Sequence, residues 1–231
     1  KFLVNINNEL AYEVLTATGD CIYTSHLVNS AGHGACGLQN SIKGYPSQLL
    51  ETAFYAKGNY FACSSKAPFS HLIYPVPNPQ FPFLGVHFTR MIQGGVECGP
   101  NAVFTFKREG YGKTDFDLRD TVEALTYKGT WKLFFNNMSF GINEYRRAFS
   151  KKLFLKTLQR MIPSLTMEDI HPGRSGVRAL LLAEDGDTRD DFRIEYHGNS
   201  IHVLNAPSPA ATASLAIGEY IAVEAQKHFN L

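Results

Sequence analysis

The sequence predicts a mixed α+β / α/β fold, with an antiparallel sheet and its helices in the middle of the chain and parts of a second domain on either side. Three observations carry this. Residues 51–101 read as short strands separated by glycine and proline turns, the pattern becomes helical between about 115 and 169, and strands return over 170–204 before one closing helix.

Residues 1–28 hold two β-like bursts, Leu10–Leu15 and Cys21–Thr24, and Thr18-Gly19-Asp20 between them is a hairpin signal. His26–Asn29 is the next strand. It ends at Ser30-Ala31-Gly32, where small residues permit either close approach of backbone to a ligand or an ordinary turn into Ala35-Cys36-Gly37-Leu38. In the middle region Phe54–Ala56 and Asn59–Ala62 flank Lys57-Gly58, and Leu72–Tyr74 and Gly85–Thr89 flank a proline-rich turn. Gly94-Gly95 separates Arg90–Ile92 from Val96–Cys98. Pro75, Pro77, Pro79 and Pro82 exclude a central strand through that turn, because proline donates nothing to a ladder. In the helical stretch Tyr145, Phe149, Leu153 and Leu158 are spaced for one buried face, leaving Arg146, Lys151, Lys152, Lys156 and Arg160 on the remainder. That basic face is either simply solvated or drawn to anionic lipid. After the last strands, Pro209 suits the first turn of a helix, where an N–H would have no partner. The Ala- and Ile-rich helix runs to about His228, suited to packing on a sheet. Domain boundaries are expected at 50/51 and 170/171.

A chain of 231 residues with 44% hydrophobic content buries an ordinary core as one large or two smaller domains. The 22 basic and 21 acidic side chains nearly cancel, which removes the global field a nucleic-acid partner would require. Cys21, Cys36, Cys63 and Cys98 have neither C-x-x-C nor zinc spacing and read as reduced, buried thiols. No apolar run approaches membrane-spanning length.

The C-terminal quarter is chemically the most informative. Ser175-Gly176-Val177-Arg178 precedes the acidic turn Glu184-Asp185-Gly186-Asp187, and a later strand leads into Asn205-Ala206-Pro207-Ser208-Pro209-Ala210-Ala211-Thr212 and the closing helix. Free N–H groups at a helix start attract anions and polar cofactor edges, and an Arg can grip a carboxylate through two parallel hydrogen bonds. The alternative for Arg178 is a structural salt bridge to Asp190 or Asp191. Among eight histidines, His87 is placed by strand alternation on one face with Gly85 and Thr89, opposite Val86 and Phe88. His71 and His202 are alternatives as a base, and each can equally be a hydrogen-bonded structural residue.

These segments resemble the C-terminal end of the FAD-dependent oxidoreductases related to D-amino-acid oxidase and glycerol-3-phosphate dehydrogenase. His26–Gly32 reads like the strand-to-glycine turn those enzymes place against the flavin. His71–Pro79, Gly85–Arg90 and Gly99–Ala102 are similar to the L-2-hydroxyglutarate dehydrogenase/oxidase branch. The resemblance implies FAD as cofactor, residues 1–50 and 171–231 as part of an FAD-binding Rossmann-like domain, and 51–170 as the substrate domain. It implies that Arg178 binds the substrate carboxylate and that Ala31, Gly32, Asn205, Ala206, Pro207, Ser208, Ala210 and Ala211 approach the flavin. Pro207 and Pro209 depart from the glycine-rich loops of relatives and remove donors, leaving Asn205, Ser208 and Ala210 to supply N–H groups. Tyr60 and Tyr74 either offer hydroxyls to the carboxylate or are core aromatics. A dicarboxylate needs a second cation, Arg90 or Lys57. His87 is the expected base for the hydroxyl proton. The turn at 184–187 departs from the usual Thr-Pro-Asp-Gly pattern and implies a turn only.

No G-x-G-x-x-G turn is read between a first strand and helix of the sequence, although Gly32-His33-Gly34-Ala35-Cys36-Gly37 has that spacing. The expectation is therefore the C-terminal portion of a longer enzyme, whose N-terminal FAD-binding segment acts as a partner. The expected reaction is oxidation of L-2-hydroxyglutarate to 2-oxoglutarate. A glycerol-3-phosphate or amino-acid oxidising relative, or a non-catalytic module binding a small acid or a protein, are the alternatives. A small carboxylate substrate, a membrane-linked electron acceptor and a cytoplasmic location peripheral to the inner membrane complete the expectation, with no nucleic acid.

Overall fold

The structure, a computed structural model, describes residues 2–6, 9–42, 51–64, 71–76, 85–206 and 210–231, with the backbone alone at 2–6 and 9–11. The first bursts form an antiparallel meander of β1 (Phe2–Ile6), β2 (Glu9–Leu15) and β3 (Cys21–Thr24). Gly19, at φ 94°, makes the turn that the sequence marks. A short strand β4 (Leu27–Asn29) then passes through a single 3₁₀ turn, Gly32–Gly34, into helix α1 (Ala35–Asn40).

Strand β5 (Glu51–Cys63) crosses the middle of the chain without a break. The expected interruption at Lys57-Gly58 is thus corrected. Gly58 serves a close approach instead, since a Cβ there would lie 2.5 Å from the Pro100 Cβ. A hairpin of β6 (His87–Arg90) and β7 (Val96–Gly99) adds to β5, and its turn rests on Gly94 and Gly95, at φ 92° and 83°. β8 (Val103–Phe104) also pairs with β5. Four helices follow: α2 (Leu118–Thr126), α3 (Lys128–Asn136), α4 (Met138–Phe149) and α5 (Lys151–Leu158). The Asp117 carboxylate caps α2 by accepting from the Asp120 N–H at 2.9 Å, a device favoured at helix starts. Ser150 leaves helical geometry (φ −123°, ψ 100°) and caps α5 through the Leu153 N–H, so the helical phase restarts there. The expected single buried face across this point is corrected by that restart. Leu158 is fully buried and Phe149 is 68% exposed.

β9 (Ile170–Ala183) returns to the sheet beside β5, turns through Glu184–Asp187 with Gly186 at φ 92°, and continues as β10 (Thr188–Arg189). The strand order is β10-β9-β5-β7-β6. Helices cover this sheet through two apolar clusters. Phe88, Cys98 and Ile170 meet Phe154 and Leu158 of α5 in one, while Phe54, Phe104, Leu180 and Leu182 meet Ala124, Phe134 and Tyr145 in the other. Cys36, Cys63 and Cys98 are buried free thiols as expected, but Cys21 is exposed and donates to the Glu13 carboxylate.

β11 (Arg193–His197) and β12 (Ser200–Asn205) form a three-stranded sheet with β4, in which β12 runs parallel to β4. The closing helix, α6 (Ser214–Phe229), begins after a turn at 210–213, and Pro209 lies outside the described residues. No residue of α6 is fully buried and Leu215 is 90% exposed, but Ile217, Ile221, Ala225 and His228 form a half-buried stripe, and Tyr196 of β11 bonds to Glu224 and meets the His228 ring. Two compact units result, 54–188 and 1–53 with 189–231. β9 belongs to the middle unit, not to the flanking one as the 170/171 boundary would have it, because Leu180 and Leu182 complete the middle core.

Gly129 sits in the first turn of α3, where a Cβ would come within 2.2 Å of the Ala183 carbonyl oxygen. Glycine to alanine inside a helix normally stabilises. Here backbone contact reverses the sign, and Gly129→Ala is expected to destabilise by about 1–3 kcal/mol, measured as a lower urea midpoint at unchanged slope.

Candidate active site

Helix α5 packs on one face of the β5–β7–β6 part of the sheet, and alternation decides which side chains turn away from it. Phe88 pairs with Cys98, and Cys98 with Phe61, and all three contribute to the core beneath α5. Their neighbours His87, Gly99 and Tyr60 therefore turn the opposite way. His87 stands directly across from Gly99 in the β6–β7 register. On its other side Gly99 touches Tyr60, since a Cβ at Gly99 would lie 2.8 Å from the Tyr60 ring. Gly99 has φ 151°, which also favours glycine. With no side chain between them, His87 and Tyr60 flank a trough.

Tyr74 joins from the segment bridged to β6 through Ile73 and Phe88, and its ring stacks on His87 with centroids 4.7 Å apart and planes 24° apart. Burial pushes the Tyr60 phenol up, Arg178 draws it back down, and Glu97 and Tyr74 push it up again. Three polar side chains, Arg178 and Glu97 from two strands and Tyr74 from the segment beside β6, thus act electrostatically on the Tyr60 hydroxyl. Arg178 is exposed and has no ion-pair partner among the described residues, so it remains available for an anion. The raised Tyr60 stays protonated and can donate.

The tautomer of His87 follows from its contact with the backbone. Nδ1 lies 2.9 Å from the Gly85 carbonyl oxygen, and a carbonyl can only accept. Nδ1 of the neutral ring therefore carries the proton, and Nε2 carries the lone pair. Among the described residues nothing bonds to Nε2.

Two expected cations do not belong to this trough. Arg90 has the parity of Phe88 and pairs with Val96, a core residue, so it leaves the sheet on the helix side. Lys57 is only 6% exposed, and its ammonium donates to the Gly112 carbonyl. Burial lowers the Lys57 pKa, with Asp115 opposing and Lys113 assisting. Of the alternative bases, His71 is exposed ahead of Ile73. His202 is fully buried in the other unit and has a different role.

Asn29 Nδ2 lies 3.0 Å from His202 Nδ1 and 2.8 Å from the Ala35 carbonyl, while Asn29 Oδ1 accepts from the Ala31 N–H. His202 Nε2 lies 3.0 Å from Ser200 Oγ, which donates to the His197 carbonyl. An amide donor at Nδ1 leaves the Nε2–H to donate to Ser200, so the chain of bonds runs in one direction with the ring neutral. Burial holds the His202 pKa down to about 4, with Glu195 raising and His197 lowering it. His202 is thus a positioning residue. Through Asn29 it sets the turn that carries Ala31 and Gly32.

Parallel pairing of β4 with β12 brings that turn and the end of β12 to the same edge of their sheet. Ligands of open α/β sheets bind at the carboxyl ends of such strands. At this edge Gly32 has φ 54° and open space where a Cβ would project, and Ala206 and Ala211 are exposed. The Asn205 amide instead donates to the Arg189 and Asp191 carbonyls, tying down the end of β12. Ala210 is half-buried, and Pro207 and Ser208 lie outside the described residues.

A family model described as FAD dependent oxidoreductase matches residues 4–223. The chain belongs to this family. An L-2-hydroxyglutarate dehydrogenase of Indibacter alkaliphilus is 47% identical over 75% of this chain and 44% of its own length. The mitochondrial L-2-hydroxyglutarate dehydrogenase of Nematostella vectensis is 49% identical over 69% and 36%. One from Salmonella houtenae is 40% identical over 92% and 50%, so the chain spans half or less of these curated relatives. In fold it is similar to an L-alpha-glycerophosphate oxidase of Mycoplasma pneumoniae, with TM-score 0.57 and 18% identity over 90% of this chain and 44% of that one. It is also similar to a glycerol-3-phosphate dehydrogenase of Bacillus halodurans, with TM-score 0.59 and 14% identity over 100% and 38%. The open, small-residue edge at Gly32 and Ala206 fits the family's FAD. No acidic residue occupies the first turn of α6, which leaves that helix start without a repelling charge for the electron-rich edge of the ring.

Sequence reading missed Gly99, Glu97 and Asn29. Counting back from Gly94-Gly95 would have set Gly99 opposite His87 and Glu97 opposite Thr89. Asn29 at a strand end, two residues before the N–H it accepts from, is an Asx-turn signal.

Because the folded chain holds His202 neutral to about pH 4 while the unfolded imidazole protonates near 6.5, the unfolded state binds the extra proton between those values. Stability should fall as pH drops through that window, by up to roughly 3 kcal/mol from this residue. His202→Gln should flatten that segment in urea midpoints measured against pH. An unaltered slope would remove His202 as its source.

Proposed function

We propose that the chain forms the substrate-side portion of an enzyme that oxidises L-2-hydroxyglutarate to 2-oxoglutarate. The named relatives support the substrate, and the observation that carries the chemistry is the His87 tautomer. A ring whose Nδ1–H is bound to the Gly85 carbonyl presents Nε2 as a base beside Tyr60, whose phenol feels the Arg178 guanidinium, which has no ion-pair partner among the described residues. FAD, when bound, supplies the hydride acceptor. Nε2 of His87 takes the hydroxyl proton, Arg178 holds the adjacent carboxylate, and the Tyr60 hydroxyl donates a second hydrogen bond to it. Tyr74 keeps the imidazole in place by stacking, and Gly99 leaves room for the carbon that loses hydride. In this reading the protein is cytoplasmic and peripheral to a membrane that carries the electron acceptor.

With the FAD-loaded enzyme, His87→Gln should keep flavin content and folding but slow flavin reduction by substrate about 10²–10⁴-fold, and the acidic limb of the rate profile should disappear. Rapid mixing against pH reads both. Bleaching at the parental rate with the same limb would transfer the role elsewhere.

Arg178→Lys preserves charge but loses the two-pronged geometry, so affinity for L-2-hydroxyglutarate should fall by about 1.5–3 kcal/mol. Unchanged affinity in equilibrium titration would take Arg178 out of the site.

A further inference from the structure

The middle unit holds a second cavity, apart from the trough and rich in arginine. Helix α4 presents Phe140, Asn143, Glu144 and Arg147 to it, which recur at helical spacing and so share one side of the helix. Leu153 and Thr157 of α5 form a further wall, with Arg160 and Met161 just beyond the end of that helix. Val76 and Gly85 also line the space, which amounts to about 840 Å³, the size of a small-molecule site. Among the described residues its walls do not include His87, Tyr60, Gly99 or Arg178. Gly85, whose carbonyl fixes the His87 tautomer, is in the wall, so the two sites share one backbone segment.

Charge and hydrogen bonding both favour an anion in this cavity. Among the described wall residues the ionisable ones are Glu144, Arg146, Arg147 and Arg160. Glu144 is already engaged, through Oε1 with Arg147 and through Oε2 with the Ala102 N–H at 3.1 Å. Arg160 is exposed and has no ion-pair partner among the described residues. Arg146 has none either, but it also lines the neighbouring cleft that holds Asp187, so its charge is shared between the two. Arg147 gives its Nη2 to Glu144, while its Nε is buried with no hydrogen-bond partner among the described residues. Buried donors are nearly always paired, so this one marks a place for an acceptor. A water would satisfy Nε but would leave Arg160 uncompensated.

We propose that this cavity binds a small organic anion with a carboxylate head, which accepts from the Arg147 Nε–H and the Arg160 guanidinium and lays its hydrocarbon body against Val76, Phe140, Leu153 and Met161. The planar fork of arginine matches carboxylate and phosphate oxygens alike. Glu144 decides between them, because a carboxylate already bonded to Arg147 repels a doubly charged phosphate more strongly than a singly charged head. The apolar walls favour a ligand with a carbon chain over a bare ion. The site is independent of the substrate assignment, since the trough keeps its own cation in Arg178.

The 231-residue chain, labelled with ¹⁵N-arginine, is titrated with hexanoate, hexan-1-ol and inorganic phosphate by calorimetry and by NMR of the arginine Nε–H signals. Hexanoate should bind saturably and move the Nε–H signal that Arg147→Lys removes, and hexan-1-ol should bind about 10-fold more weakly or less, for want of the charge-assisted bonds. Arg160→Gln should weaken hexanoate by about 10-fold or more on the same grounds. Arg160 is exposed, so its variant should keep the parental urea midpoint. Arg178→Lys should leave hexanoate binding as it is. Should Arg147→Lys fail to fold, Arg160→Gln and the hexan-1-ol comparison decide. Hexanoate binding that is lost in Arg178→Lys and kept in Arg160→Gln would place the anion in the trough and overturn this site. Absence of saturable hexanoate binding, or inorganic phosphate binding as tightly as hexanoate, would overturn it as well.

Discussion

Burial of Phe88 and Cys98 against α5 is the constraint on which the candidate site depends. Strand side chains alternate with a period of two, so once these residues are committed to the core, His87 and Gly99 must face away from it. A slip of one residue in β6 would bury His87 and expose Phe88. The glycine pair at 94 and 95 pins that register from the other end, because both residues adopt φ values that side chains resist. Chemistry on one face of the sheet is thus held by packing on the other.

Burial also sorts the charged and titratable groups. Lys57 and Arg178 belong to the same sheet region, yet Lys57 is enclosed and bound to a backbone carbonyl whereas Arg178 is exposed without a counter-ion among the described residues. The two histidines divide in the same way. His202, fully enclosed and bonded through both ring nitrogens, is kept neutral and organises a turn. His87 bonds through Nδ1 to the Gly85 carbonyl, and among the described residues nothing bonds to its Nε2.

Ser150 shows how a single residue can defeat a periodicity argument. The spacing of Tyr145, Phe149, Leu153 and Leu158 fits one helix, and the apolar count is right. A serine that caps its own successor helix restarts the phase, which leaves Phe149 outside and Leu158 inside. Lys57-Gly58 misled in the opposite direction: glycine there answers the approach of Pro100 from a neighbouring segment, a cause that local sequence does not contain.

By itself the sequence determined the mixed class, the β6–β7 hairpin and the face of His87, because turn chemistry and alternation are local and act within a few residues. The roles expected of Arg178, and of the small-residue loops at Ala31-Gly32 and Asn205-Ala206, came from resemblance alone. Only the tertiary structure decided that Arg90 leaves by the wrong face, that Lys57 is enclosed, that β9 completes the middle core, and that Asn29 and His202, separated by most of the chain, meet across parallel strands. Those outcomes depend on which distant segment each strand pairs with, and pairing partners are chosen by the burial of whole faces, a sum over the fold that no local stretch of residues encodes.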